Sequence, residues 1–127
     1  MEKILKRICV VDDDDAYRKS LVRLLTSAGF SVESFSSAQS FLHSVPVAQK
    51  TGVLILDLRM PSMNGFELQK RINELASRLQ VIIITGDAHP GDREHAISSG
   101  AIGFLQKPFE EDSLLELIGP AMMNGDC

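Results

Sequence analysis

The 127-residue chain has no tryptophan, one tyrosine and only two cysteines. Cys9 sits inside an apolar run and Cys127 is the last residue, so there is no Cys-x-x-Cys pair and no disulfide framework. His43, His89 and His95 lack the i, i+4 spacing of a zinc motif. No apolar run approaches the length of a bilayer span, and no signal-peptide core follows Met1-Glu2-Lys3. The expected location is therefore the cytoplasm, with no membrane association. Lys and Arg number 13 against 17 Asp and Glu, a net charge of -4. Without a basic patch to neutralise phosphate, no direct nucleic-acid contact is expected through this domain. The chain also lacks repeats and low-complexity tracts, and 44% of it is apolar, which suits a single soluble globular domain.

What the chain does have is carboxylates at the ends of apolar runs. Ile8-Cys9-Val10-Val11 leads into Asp12-Asp13, and Val53-Leu54-Ile55-Leu56 leads into Asp57. Runs without alternation are the mark of parallel strands buried on both faces, whose C-terminal tips open into a site. Unit charges about 4 Å apart repel by roughly 4 kcal/mol at an effective dielectric near 20, so three clustered carboxylates call for a cation. An all-oxygen set suits a hard divalent ion, Mg²⁺ or Mn²⁺.

Strand and helix signals alternate along the whole chain. After the first strand, Tyr17, Leu21, Leu24, Leu25 and Ala28 fall at helical spacing, with Asp14 and Asp15 placed to cap and Gly29 to stop the helix. Phe30 to Phe35 reads as a half-polar edge strand, and Ser36 or Ser37 caps a short helix that ends before Pro46. A turn over Gln49 to Gly52 precedes the third strand, Val53 to Asp57. Phe66, Leu68, Ile72, Leu75 and Leu79 predict a third helix. Val81 to Ile84, ending in Thr85-Gly86, is the clearest strand; a short helix over Asp92 to Ser99, a strand over Gly103 to Gln106 and a last helix around Ser113 to Ile118 complete the pattern. Five such units predict a doubly wound parallel α/β sheet with helices on both faces and ligands beyond the strand ends.

Asp12, Asp13, Asp57, Thr85 and Lys107 then face one another at four strand ends. A carboxylate nucleophile, a metal platform, a hydroxyl and an ammonium together suit phosphoryl transfer onto Asp57, chemistry that is mostly positioning and electrostatics. Taken singly, Asp12 or Asp13 reads as a helix cap, Asp57 as a turn former and Lys107 as a surface charge. A phosphatase with an aspartyl nucleophile would want a carboxylate two residues on, where Arg59 stands. A flavin or nucleotide carrier would want a phosphate-cradling loop after the first strand, where Asp12 to Asp15 would repel the phosphate.

Four segments in order, Val10-Val11-Asp12-Asp13, Leu56-Asp57-Leu58-Arg59-Met60-Pro61, Ile84-Thr85-Gly86 and Phe104-Leu105-Gln106-Lys107-Pro108-Phe109, resemble the receiver domains of bacterial two-component response regulators. The resemblance implies a flavodoxin-like sheet of order 2-1-3-4-5 with five helices. It implies that Asp57 accepts a phosphoryl group from a sensor histidine kinase. It further implies that Asp13 and Asp57 bind the metal directly, Asp12 largely through water, and Arg59 through its backbone carbonyl. Thr85 would be the switch hydroxyl, Phe104 the aromatic that swings inward behind it, and Lys107 a phosphate contact preceding a cis Lys-Pro bond.

Phe35-Ser36-Ser37-Ala38, Leu58-Arg59-Met60-Pro61 and Thr85-Gly86-Asp87 are more narrowly similar to the nitrogen-fixation type of regulator, which carries a helix-turn-helix output domain. Residues 1–120 are expected to form the receiver and 121–127 a tail or linker, the DNA-binding domain being separate or removed. A phosphorylation-dependent homodimer is a family-level expectation. Arg59 and Asp87 are expected to form an ion pair across the site mouth that shields the acyl phosphate.

Overall fold

The computed structural model describes residues 7–44, 51–75 and 78–123. Strands and helices alternate: β1 (Arg7–Val11), α1 (Asp15–Ser27), β2 (Val32–Phe35), α2 (Ala38–Leu42), β3 (Thr51–Asp57), α3 (Gly65–Glu74), β4 (Arg78–Thr85), α4 (Asp92–Ser98), β5 (Gly103–Gln106) and α5 (Glu111–Met123). The strands form one parallel sheet in the order β2-β1-β3-β4-β5. This is the doubly wound, flavodoxin-like arrangement expected from the sequence, with the half-polar β2 at an edge.

The absence of alternation in the strands now has a direct cause. Cys9, Val11, Leu54, Leu56, Val81 and Ile83 enter a core shared with α2, α3 and α4. Their neighbours Ile8, Val10, Val53, Ile55, Ile82 and Ile84 enter a second core on the opposite face, shared with α1 and α5. Each side of the pleat is covered there, so each of these positions is apolar. Cys9 is buried among aliphatic side chains as a small core residue. Among the described residues, no helix is long and apolar enough to cross a membrane.

Several boundaries depart from the sequence reading. α3 stops at Glu74, and Leu79 belongs to β4, where it lies opposite Gly52. Leu75 and Leu79 extend the helical spacing only by coincidence, for Leu75 is the C-cap and is 37% exposed. Gly52 is a strand residue rather than the end of a turn; a Cβ there would stand 2.1 Å from the Arg7 carbonyl oxygen, so only glycine lets β3 approach β1 so closely. Gln49, Lys50 and Pro46 lie outside the described residues. Phe30 precedes β2, which begins at Val32. α5 runs on to Met123 through Pro120, and Ala121 is buried in the second core. The caps follow the side chains: Asp14 accepts from the Tyr17 N–H at 3.1 Å, and Ser37 accepts from the Ser40 N–H at 3.0 Å.

A carboxylate cluster at the strand ends

β1, β3, β4 and β5 all point the same way, and their C-terminal ends carry the polar residues. Asp12 is fully buried, Asp57 nearly so, and Asp13 is exposed. One carboxylate oxygen from each of the three lies within 4.8 Å of the others. The loop after Asp57 returns at once into α3, because Gly65 packs directly on the strand end: a Cβ there would meet the Leu58 Cα at 2.9 Å and the Asp57 carbonyl oxygen at 3.0 Å. A capping box, with Asn64 and Glu67 each accepting the other's backbone N–H, then starts the helix.

Lys107 reaches into the cluster from the end of β5. Its Nζ donates to Asp12 Oδ2 at 2.9 Å and lies 3.7 Å from Asp57 Oδ1. Its backbone N–H donates to the Thr85 carbonyl at 2.7 Å, and the bond to Pro108 is cis. Asp12 is held on every side: Oδ1 accepts from the Asp14 N–H at 2.9 Å, and its backbone carbonyl accepts from Arg18 Nη1 at 2.8 Å. Thr85 is fully buried, and its Oγ1 accepts from the Asp87 N–H at 3.0 Å. Phe104 lies inside the first core, 5% exposed, with the Arg93 guanidinium 5.3 Å from its ring centroid. The ring is thus buried in this core.

Burial is the largest influence on Asp57, with the charges of Asp12 and then Asp13 acting in the same direction and Lys107 opposing them. Together they push its pKa from 3.8 to about 7. Three carboxylates against one ammonium leave two negative charges when all are ionised, the complement of a divalent cation. The donor set is entirely oxygen, which fits Mg²⁺ or Mn²⁺. Asp12 already accepts on both oxygens, so Asp13 and Asp57 are the carboxylates better placed for direct contact.

The site mouth differs from expectation. Arg59 meets Asp87 only through the backbone, its Nε donating to the Asp87 carbonyl at 3.2 Å. Its ion pair goes to Asp92, the first residue of α4, through Nη2 and Oδ2. The Asp87 carboxylate is largely solvated and pairs instead with His89 Nε2 at 3.1 Å. Asp92 is the better partner because it is less screened by water and is fixed by accepting the His89 N–H at 2.8 Å. Sequence reasoning missed Asp92, which read only as a helix start. It also missed Tyr17, assigned to the apolar face of α1 although it stands one helical turn after Asp13 and touches Lys107.

Comparison with known proteins agrees with this geometry. Residues 8–119 match the response regulator receiver domain family. The chain is 42% identical over 115 residues to response regulator protein TodT of Pseudomonas putida strain F1, covering 91% of this chain and 50% of that protein. It is 41% identical over 119 residues to transcriptional regulatory protein FixJ of Bradyrhizobium diazoefficiens, covering 94% and 58%. The chain thus spans about half the length of the curated relatives it matches. The crystal structure of FixJ-N superposes with a TM-score of 0.84 at 36% identity, over 98% of this chain and 97% of that one. With sheet order and sequence in agreement, the chain belongs to the response-regulator receiver domains, a signalling family, and within it is similar to the nitrogen-fixation type of transcriptional regulator.

Proposed function

We propose that this domain is a phosphorylation-driven switch in which Asp57 accepts a phosphoryl group from the histidine of a sensor kinase. One observation carries the reading: carboxylates from two strand ends and an ammonium from a third converge on one point. In the transfer, the bond between phosphorus and the kinase's histidine nitrogen breaks as a bond to an Asp57 carboxylate oxygen forms. Asp12, Asp13 and Asp57, with the Arg59 backbone carbonyl, would hold Mg²⁺ or Mn²⁺, and the ion when bound supplies the positive charge that lets an ionised Asp57 meet an anionic phosphoryl group. Lys107 exchanges part of its contact with Asp12 for a phosphoryl oxygen. Thr85 gives up the Asp87 N–H and turns its hydroxyl onto the phosphoryl group, which holds Phe104 in its inward position.

Contacts made only to the phosphoryl group bias a two-state equilibrium of the α4, β5 and α5 surface. A phosphorylation-dependent homodimer on that surface would carry the signal to a DNA-binding output domain elsewhere in the protein, in the cytoplasm. Arg59, tied to Asp92 and to the Asp87 carbonyl, covers the mouth and slows attack by water on the acyl phosphate. The domain signals; it does not turn over a metabolite.

The deciding measurement is intact mass after incubation with acetyl phosphate, with and without Mg²⁺, on wild type and Asp57→Asn. The expected result is a Mg²⁺-dependent gain of one phosphoryl group that the variant lacks. No gain in wild type that still binds the metal would replace this reading with a receiver that signals by binding alone.

A further inference from the structure

A lysine at this site must be both near and restrained. Its four-carbon stem carries considerable rotamer freedom, and an ammonium that wanders is a weak point charge for a phosphoryl oxygen. The carboxylates that hold Lys107 here, Asp12 and Asp57, are also the groups that a divalent cation would draw on. Bringing a second cation among them weakens their hold on the first. One restraint does not depend on those carboxylates. Lys107 Nζ lies 4.2 Å from the centroid of the Tyr17 ring, over its face, within cation-π range. Phe109 supports that ring in a T-shaped contact, centroids 6.1 Å apart and planes at 70°. Residues 107 and 109 stand on either side of Pro108, and the one ring touches both.

We propose that Tyr17 is a positioning residue for the site, its ring face holding the Lys107 ammonium over the carboxylate cluster. The hydroxyl has no part in this; the ring face does the holding. The functional consequence rests on the phosphoacceptor reading above, whereas the contact itself does not.

The test compares Tyr17→Phe, which keeps the ring, with Tyr17→Leu, which keeps an apolar side chain without it. Phosphorylation by acetyl phosphate at saturating Mg²⁺ is expected to fall about fivefold in Tyr17→Leu and to stay within about twofold of wild type in Tyr17→Phe. In a Lys107→Ala background, Tyr17→Leu should cause no further loss, since the ring then has nothing to hold. A Phe variant as slow as the Leu variant, or a Leu effect that persists at full size without Lys107, overturns the proposal. Nuclear magnetic resonance of the metal-free protein decides the contact independently: the Lys107 methylene protons should be shifted upfield by the ring in wild type and in Tyr17→Phe. Unshifted protons in wild type would overturn the proposal even if Tyr17→Leu fails to fold. If wild type takes up no phosphoryl group, the phosphoacceptor reading fails, while a shifted Lys107 signal would still support the clasp.

Discussion

α3 and α4 pack against each other on the same face of the sheet, yet they are held in opposite ways. α3 is started by a reciprocal capping box and buries Leu68 and Ile72 in the first core. α4 follows Gly91, which offers no side-chain cap, and among its apolar side chains only Ala96 is buried, while Ile97 is 46% exposed. Polar contacts attach it instead. Arg59 pairs with Asp92 at its start, Gln69 Nε2 donates to the Ala96 carbonyl at 3.1 Å, and Asn73 Nδ2 donates to the Ser99 carbonyl at 3.0 Å just beyond its end. His95 stacks on Phe66 at 3.8 Å between centroids. Apolar burial resists displacement because any movement opens a void, whereas a hydrogen bond can be exchanged for water or another partner at little net cost. α3 is therefore the more firmly seated of the two, and α4 is expected to open more readily.

The largest expected effect separates the site from both helices. Folded Asp57, with its pKa near 7, retains a proton that the unfolded chain releases near 3.8. The folded state thus binds more protons between those values, so this stabilisation is complete below about pH 4 and is lost as pH rises toward 7. Urea unfolding in the presence of a chelator should show stability falling across that window. Asp57→Asn should flatten the profile and be the more stable protein at pH 7.5, by up to a few kcal/mol. A wild-type profile as flat as the variant's would show that Asp57 is not strained by its neighbours.

Within the helices, Leu68→Ala on α3 should cost about 3 kcal/mol in urea unfolding, since the cavity lies in a closed core. Asn64→Ala, which removes half of the capping box, should cost about 1 kcal/mol. Arg59→Ala, or Asp92→Asn, which keeps an acceptor for His89, should do something different. Amide hydrogen exchange in α4 should quicken by roughly fivefold while α3 is unchanged, a local loss of about 1 kcal/mol. The phosphorylated form should lose its phosphoryl group faster in both variants. Equal quickening in α3 and α4 would mean that the two helices move as one body, and the contrast between them would fail. Smallest of all, Ile97→Ala should change stability by no more than about 0.5 kcal/mol, because its side chain leaves water only in part.

The apolar runs by themselves determined that Ile8 to Val11, Val53 to Leu56 and Val81 to Ile84 are buried strands, because a strand covered on both faces leaves no position for a polar side chain. They also placed Asp12, Asp13, Asp57, Thr85 and Lys107 at strand ends, since in a parallel sheet the direction of the chain sets which ends meet. Helix ends were less legible: Leu79 continues a helical spacing, and only its pairing opposite Gly52 shows that it is a strand residue. The partner of Arg59 was decided by tertiary structure alone, because Asp87 and Asp92 are chemically identical and differ only in burial and in what already holds them. The same holds for Tyr17, whose helical position marks it as apolar but whose ring face meets an ammonium 90 residues further along the chain. Local sequence carries periodicity and chain direction; which charge meets which depends on distances across the fold and on the water excluded between them.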